Sequence, residues 1–140
     1  MKFKTHIAGG VALGIGVAYF LDYSFAETAL FYGAVLVGSL LPDIDHTKSF
    51  LGSRLLLFSK PLNKWFGHRT LTHSLLTVGL LFYSSFAAWG FLPITTGLFT
   101  GCISHILLDS LTNKGVAIFY PLSKKRYRLG RLYYKDRILQ

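Results

Sequence analysis

The chain has 140 residues, of which 51% are hydrophobic and 15% are charged, and its mean hydropathy is +0.43. Soluble domains carry about 25% charged residues, so this composition is typical of a membrane protein. The length allows one domain, residues 1–140, and the single cysteine excludes an internal disulfide and a multi-cysteine zinc site.

The N-terminal segment has the order of basic and apolar residues that is found in signal peptides. It lacks a small-x-small cleavage site, because Phe20, Leu21 and Asp22 end the apolar run. We therefore expect the segment to be retained as the first membrane span.

Four apolar runs predict an all-α, polytopic membrane protein with a four-helix transmembrane bundle. They extend from Ile7 to Leu21, from Ala26 to Leu41, from Ser74 to Leu92 and from Ile94 to Leu111. The first two reach roughly 23 Å at 1.5 Å per residue, so flanking residues or a thinner bilayer must make up the difference from a hydrocarbon core of about 30 Å. A compact soluble helical bundle is the alternative, but few polar residues are present to cover its surface.

The basic residues all fall on one side of this bundle. Residues 22–27 and 89–93, which join the first and second pairs of runs, contain no Lys or Arg, and the 15 basic residues lie at the termini and in the middle loop. The positive-inside rule then places both termini and the middle loop in the cytoplasm. Because topology explains the net charge of +9, no nucleic-acid partner is expected, and DNA binding by the basic cytoplasmic tail (about 112–140) is the weaker alternative.

The histidines and three aspartates lie at the cytoplasmic ends of the four runs. His105 and Asp109 are four residues apart and project from one face of a helix. Pro42 is expected to bend or end the second helix, so that Asp43 and Asp45 turn towards one point from an extended turn. Because topology and residue positions were inferred independently, we expect these side chains to converge into a metal site at the cytoplasmic face.

Charge leads to the same expectation. An ionised aspartate near the centre of a membrane helix costs about 2.5 to 3.5 kcal/mol, and the four runs contain no Lys or Arg to neutralise it. A set of nitrogen and oxygen donors suits Zn first, with Mn, Fe or Co as alternatives, and the set exceeds the roughly four ligands of one zinc ion. We expect two or three divalent ions, and the candidate ligands are His6, Asp43, Asp45, His46, His68, His73, His105 and Asp109.

Each candidate alone also has an ordinary structural interpretation. A histidine at a helix end commonly makes interfacial hydrogen bonds, a Pro-Asp pair commonly ends a helix, and Arg69 is equally well explained as a topogenic charge. The complete ordered set, with no histidine elsewhere in the chain, favours metal binding.

The ordered set resembles the bacterial inner-membrane metal-dependent hydrolases, a family that includes a LexA-regulated member. The resemblance covers residues 5–109 and rests on Thr5-His6, Pro42-Asp-Ile-Asp-His46, His68-Arg69, His73-Ser74, and His105 with Asp109. A fainter similarity extends to zinc-dependent phospholipases C and P1-type nucleases, which cleave phosphoesters with a cluster of metal ions. The chain departs from those enzymes because it has no glutamate among the candidate ligands.

The resemblance implies a metal-dependent hydrolase located in the bacterial inner membrane, most simply a phosphoesterase that acts on a membrane lipid or a small phosphoester. Asp43 or Asp45 would accept a proton from the metal-activated water. Arg69, and more remotely Lys114, would hold an anionic headgroup. Two other classes remain open: a non-catalytic metal-binding or metal-transporting membrane protein, and an intramembrane protease, although the chain has no HExxH motif.

Three local features complete the predictions. Residues 50–58 are expected to lie along the membrane interface as an amphipathic helix, with a simple linker as the alternative. Thr70 or Thr72 is expected to cap the third helix, and His68 to lie in the loop before it. Close helix packing is expected at pairs of glycines four residues apart, which are Gly10 with Gly14 and Gly97 with Gly101.

Overall fold

A computed structural model of the protein describes residues 2–90 and 92–129, so residues 130–140 of the predicted tail lie outside the described residues. The described chain is all-helical and contains no named strand, which confirms the all-α prediction. The α-helices are α1 (Phe3–Ala18), α2 (Phe25–Gly38), α3 (Leu56–Phe66), α4 (Leu75–Trp89) and α5 (Pro93–Ser110). Two short 3-10 helices, Leu41–Asp45 and Leu71–His73, follow α2 and precede α4.

The start and the end of α2 follow from its sequence. Ser24 and Glu27 form a capping box, in which the Ser24 amide donates to the Glu27 carboxylate at 2.9 Å and the Ser24 side chain accepts from the Glu27 amide. The α-helix ends at Gly38, ahead of Pro42. Residues 41–45 then form a 3-10 helix, so the prediction that the two aspartates lie on an extended turn was wrong.

The prediction of a threonine cap on the third long helix was also wrong. The cap of α4 is Ser74, whose hydroxyl accepts from the Thr77 amide at 3.3 Å. Thr72 lies in the second 3-10 helix, and its hydroxyl donates to the Asp45 carboxylate. The Thr70 hydroxyl donates to the carbonyl of Phe66. Both threonines are therefore engaged before α4 begins.

The central helix is α5, which packs against α1, α2 and α4. Its contact with α2 is close because a Cβ at Gly101 would lie 2.4 Å from the carbonyl oxygen of Val35, and one at Gly97 would lie 2.4 Å from that of Phe31. On α1, a Cβ at Gly10 would collide with the Ser39 side chain. The predicted close packing at these glycines is confirmed.

Helix length supports one membrane span among the described residues. The helical stretch Phe25–Asp45 has 21 residues and is long and apolar enough to cross a bilayer, whereas α1 and α4 are apolar but shorter. The four-span bundle therefore stays a prediction.

The helix of the middle loop overlaps only the end of the range 50–58 that was predicted for it, and its position at the membrane interface stays a prediction. Residues 50–54 form turns, and α3 starts at Leu56. Gly52 explains the difference, because its amide bonds the Ser49 hydroxyl at 2.9 Å and a Cβ at this position would collide with the carbonyl of His46. Leu57 and Trp65 point outward from α3 and are exposed.

The first part of the predicted basic tail, residues 112–129, folds back over one end of the helices. Val116 and Ala117 are fully buried. The Ala117 amide donates to the carbonyl of Arg69, and the Leu75 amide donates to the carbonyl of Ile118 at 3.0 Å. This segment therefore covers the loop that connects α3 with α4.

Candidate metal centre

Four helix ends meet where the tail segment folds back. The N-terminal parts of α1 and α4 and the C-terminal parts of α2 and α5 bring the predicted residues together there, as expected for neighbouring antiparallel helices. His6 stacks on His105 with ring centroids 3.7 Å apart, and His73 contacts His105 edge to face. The predicted convergence of these side chains is therefore observed.

The first donor group consists of Asp43, His73, His105 and Asp109, whose ligand atoms all lie within 4.8 Å of one another. His73 Nε2 is 3.3 Å from Asp109 Oδ2, and His105 Nε2 is 3.6 Å from Asp43 Oδ1. Both Nε2 atoms are buried, and neither has a hydrogen-bond partner among the described residues. Unsatisfied imidazole nitrogens that face carboxylates fit a bound divalent cation.

The orientation of His105 prepares it to bind a metal. Its Nδ1 lies 2.6 Å from the carbonyl oxygen of Ser39. A carbonyl only accepts, so Nδ1 carries a proton, and the neutral imidazole has its lone pair on Nε2, as in many metal-binding histidines.

The second donor group consists of Asp43, Asp45 and His68. His68 Nδ1 is 2.7 Å from Asp45 Oδ1, and Asp45 also accepts from the amide of Arg69 and the hydroxyl of Thr72. Asp43 belongs to both groups, so its carboxylate lies between two possible metal positions.

Two predicted ligands lie beside these groups. His6 is fully buried, neither ring nitrogen has a hydrogen-bond partner in the described part of the chain, and Nε2 is 3.6 Å from Asp109 Oδ1. The His46 Nδ1 accepts from the amide of Lys48, and its ring contacts His68 edge to face. Burial, with a further contribution from His68, lowers the pKa of His46, so this imidazole is neutral at pH 7.

Arg69 supplies a positive charge to the buried carboxylates. Its Nη2 donates to Asp109 Oδ1 at 2.9 Å and its Nη1 donates to the Thr112 hydroxyl at 3.0 Å. The four apolar runs contain no Lys or Arg, but the loop before α4 folds back and buries Arg69 at the centre, so a bound cation is not the sole neutraliser of these aspartates. Arg69 adopts a φ of 64°, which is unusual for a residue other than glycine.

An open, basic cavity of about 660 Å³ lies over the donor groups. Asp43, His46 and His68 line it. Its basic lining residues are Lys2, Lys4, Lys48, Arg69 and Lys114. Because Asp43 is the one acidic residue in the described lining, the cavity suits an anion.

Sequence reasoning missed several residues of the centre. It gave Lys2, Lys4 and Lys48 only a topogenic role, although the positions of the first two beside His6 were a usable signal. It did not identify Thr112 or the carbonyl of Ser39, which support Arg69 and His105 through contacts distant in sequence.

Comparisons with known proteins show which family the chain belongs to. The YdjM inner membrane protein family matches residues 1–140. The chain belongs to this family. Its relatives include YvsG of Bacillus subtilis (strain 168), which is 40% identical over 129 residues, 92% of this chain and 78% of that protein.

Two further members of the family are the inner membrane proteins YdjM of Escherichia coli (strain K12) and of Shigella flexneri. Each is 46% identical over 101 residues, which is 69% of this chain and about half (51%) of the relative. No solved structure matches the chain. Membership places the protein among bacterial inner membrane proteins.

Proposed function

We propose that the protein is a metal-dependent hydrolase of the inner membrane that cleaves a phosphoester at the cytoplasmic ends of its helices. The observation that carries this proposal is the pair of donor groups that share Asp43 beneath a basic cavity. A shared carboxylate between two donor groups is typical of two-metal phosphoesterases.

The described residues fit two divalent ions, with zinc favoured by the histidine-rich donor set. His73, His105, Asp109 and Asp43 would hold one ion, and Asp43, Asp45 and His68 would hold the other. When bound, such ions supply Lewis acidity and lower the pKa of a coordinated water towards about 7. His6 lies next to the first of these ligand sets, because its ring stacks on the ring of His105.

Residues that line the cavity would accept and return the proton that hydrolysis releases. Attack by water forms a new P–O bond, breaks the bond to the leaving alcohol and releases a proton. Asp43 lines the described cavity wall and Asp45 does not, so an oxygen of Asp43 that does not hold an ion would accept that proton. The Lys48 amide occupies His46 Nδ1, so a neutral His46 carries its proton on Nε2 and can donate a hydrogen bond to a phosphate oxygen. Asp43 would return the proton that it accepts to the leaving alcohol oxygen.

Phosphate binding is assigned to the basic lining of the cavity. Lys2, Lys4, Lys48 and Lys114 offer ammonium groups around it. Arg69 also lines the cavity, but both terminal nitrogens of its guanidinium are already bonded, which favours a supporting role over direct capture of the headgroup.

The proposed topology has four spans and both termini in the cytoplasm. The support is that the end of the helices with the two donor groups also carries Lys2, Lys4 and the middle loop, and basic residues are typical of the cytoplasmic side. A metal transporter, the second candidate, would place its ionisable residues near the bilayer midplane, whereas these lie at helix ends.

The test begins with the metal content of detergent-purified protein, measured by elemental mass spectrometry. Wild type should retain bound ions, and His73→Ala should lose them. Turnover of bis-p-nitrophenyl phosphate and of phosphatidic acid should then vanish in Asp45→Ala. The matched control is Asp22→Ala, at an exposed aspartate remote from the centre. Metal binding without hydrolysis, together with metal uptake into vesicles, would favour the transporter.

A further inference from the structure

A second opening in the protein, between α4 and α5, is almost purely apolar. It has a volume of about 370 Å³. The lining residues that bear on its role are Pro42, Leu71, Thr72, Val78, Phe99 and Cys102.

The opening lies beside α4, whose packing among the described α-helices is mainly with α5. In the part of the chain that the structure describes, no residue of α4 is buried. Phe82 on α4 stacks on Phe99 of α5 with ring centroids 4.1 Å apart, and this contact holds the two helices together along the groove. Most side chains on either side of the groove are aliphatic or aromatic.

One end of the groove reaches the donor groups. Thr72 lines the groove and also donates a hydrogen bond to Asp45. Pro42 lines the groove, whereas the next residue, Asp43, lines the basic cavity. The donor groups therefore lie between an apolar groove and a basic cavity.

The dimensions of the groove match one lipid tail. Along α4 it extends from Thr77 to Ser85, which is about 12 Å at 1.5 Å per residue. One leaflet contributes about half of a hydrocarbon core of roughly 30 Å. The volume is near the lower end of the range for small-ligand sites, about 300 to 1,000 Å³, which suits one chain better than two.

We propose that the α4/α5 groove binds a single acyl chain of a phospholipid whose phosphate occupies the basic cavity. The charge pattern carries this assignment, because a phospholipid joins an apolar tail directly to an anion and the protein offers the two matching surfaces on either side of the donor groups. The inference rests on the proposed function and adds to it that one acyl chain of the substrate is recognised by the groove.

Binding is tested first, without reference to turnover. The purified protein is mixed with a phosphatidic acid that carries a diazirine near the end of one acyl chain, illuminated, digested and mapped by mass spectrometry. Crosslinks should concentrate on groove residues such as Val78 and Phe99, rather than on Leu80, which is 63% exposed on the outer face of α4. Equal labelling of Leu80 would overturn the assignment.

Filling the groove provides the second test. Val78→Trp places an indole in it, and Leu80→Trp adds the same group outside it. Val78→Trp should lower kcat/KM for phosphatidic acid by about tenfold or more, as expected when a hydrophobic subsite is lost. It should leave the turnover of bis-p-nitrophenyl phosphate, which has no acyl chain, at the wild-type level. Leu80→Trp should change neither value.

The outcomes distinguish a failure of the groove assignment from a failure of the proposed function. If wild type cleaves both substrates and Val78→Trp cleaves both equally well, the groove assignment fails and the hydrolase stands. If wild type cleaves neither, the proposed function fails, and crosslinking alone then decides whether the groove binds lipid. If Val78→Trp instead dissociates a dimer seen by native mass spectrometry, the groove is an interface between two copies and the proposal is overturned.

Discussion

Arg69 and Asp109 form a buried ion pair across 40 residues of sequence, with Arg69 Nη2 2.9 Å from Asp109 Oδ1. The other carboxylate oxygen, Oδ2, faces His73 at 3.3 Å and His105 at 3.6 Å. One carboxylate is thus shared between an arginine and the first donor group. Arg69 and a bound cation would neutralise the same negative charge from opposite sides.

Removing Arg69 should therefore destabilise the protein in a metal-dependent way. Arg69→Ala leaves Asp109 buried without its arginine, and loss of one partner of a buried pair costs about 3 to 5 kcal/mol. Added Zn²⁺ should recover part of the lost thermal stability. The measurement is thermal unfolding in detergent, with and without Zn²⁺, and the control is Lys64→Ala at an exposed position of α3. An unchanged unfolding temperature in Arg69→Ala would contradict the role of the pair.

Metal stoichiometry should distinguish the two donor groups. His68 belongs only to the second group, whereas Asp43 belongs to both. We expect about two ions per chain in wild type and about one in His68→Ala, with a larger loss in Asp43→Asn. His46→Ala is the control because His46 lies outside both groups. Elemental mass spectrometry on the four proteins gives the counts, and an unchanged count in Asp43→Asn would refute the shared position.

Much of the centre could be predicted because it depends on helix ends. The apolar runs predicted four helices within a few residues of their observed bounds, and alternation of helix direction brought His6, His105 and Asp109 to one end. The spacing of His105 and Asp109 along one helix required no knowledge of the tertiary structure.

The parts that could not be predicted depend on backbone turns and long-range contacts. Asp43 and Asp45 lie on a 3-10 helix over residues 41–45, and propensity does not distinguish that turn from an extended one after Pro42. Arg69 turned out to be buried because residues 112–129 fold back over its loop, and no local pattern predicts that contact.

The α2/α5 contact should tolerate no side chain at Gly101. A Cβ there would lie 2.4 Å from the carbonyl oxygen of Val35 and 2.6 Å from the amide nitrogen of Ser39, and backbone atoms cannot move aside cheaply. Gly101→Ala should cost about 1 to 3 kcal/mol. Gly16→Ala on α1 is the matched control, because nothing lies within 4 Å of its Cβ and alanine favours a helix by about 0.5 to 1 kcal/mol. Thermal unfolding in detergent should move in opposite directions for the two variants.

The basic cavity should control the affinity for an anionic substrate more than the rate of its cleavage. Lys48 and Lys114 line the cavity and belong to neither donor group. At about 1 kcal/mol for each charge near a membrane surface, Lys48→Ala/Lys114→Ala should raise KM for phosphatidic acid by up to about thirtyfold and change kcat little. The effect should shrink as ionic strength rises, because exposed charges are screened beyond about 10 Å at 0.1 M salt. Lys60→Ala/Lys64→Ala, on exposed positions of α3, removes the same charge from outside the cavity lining and serves as the control. If the two double variants raise KM equally, the overall surface charge causes the increase, and the cavity is not where the phosphate binds.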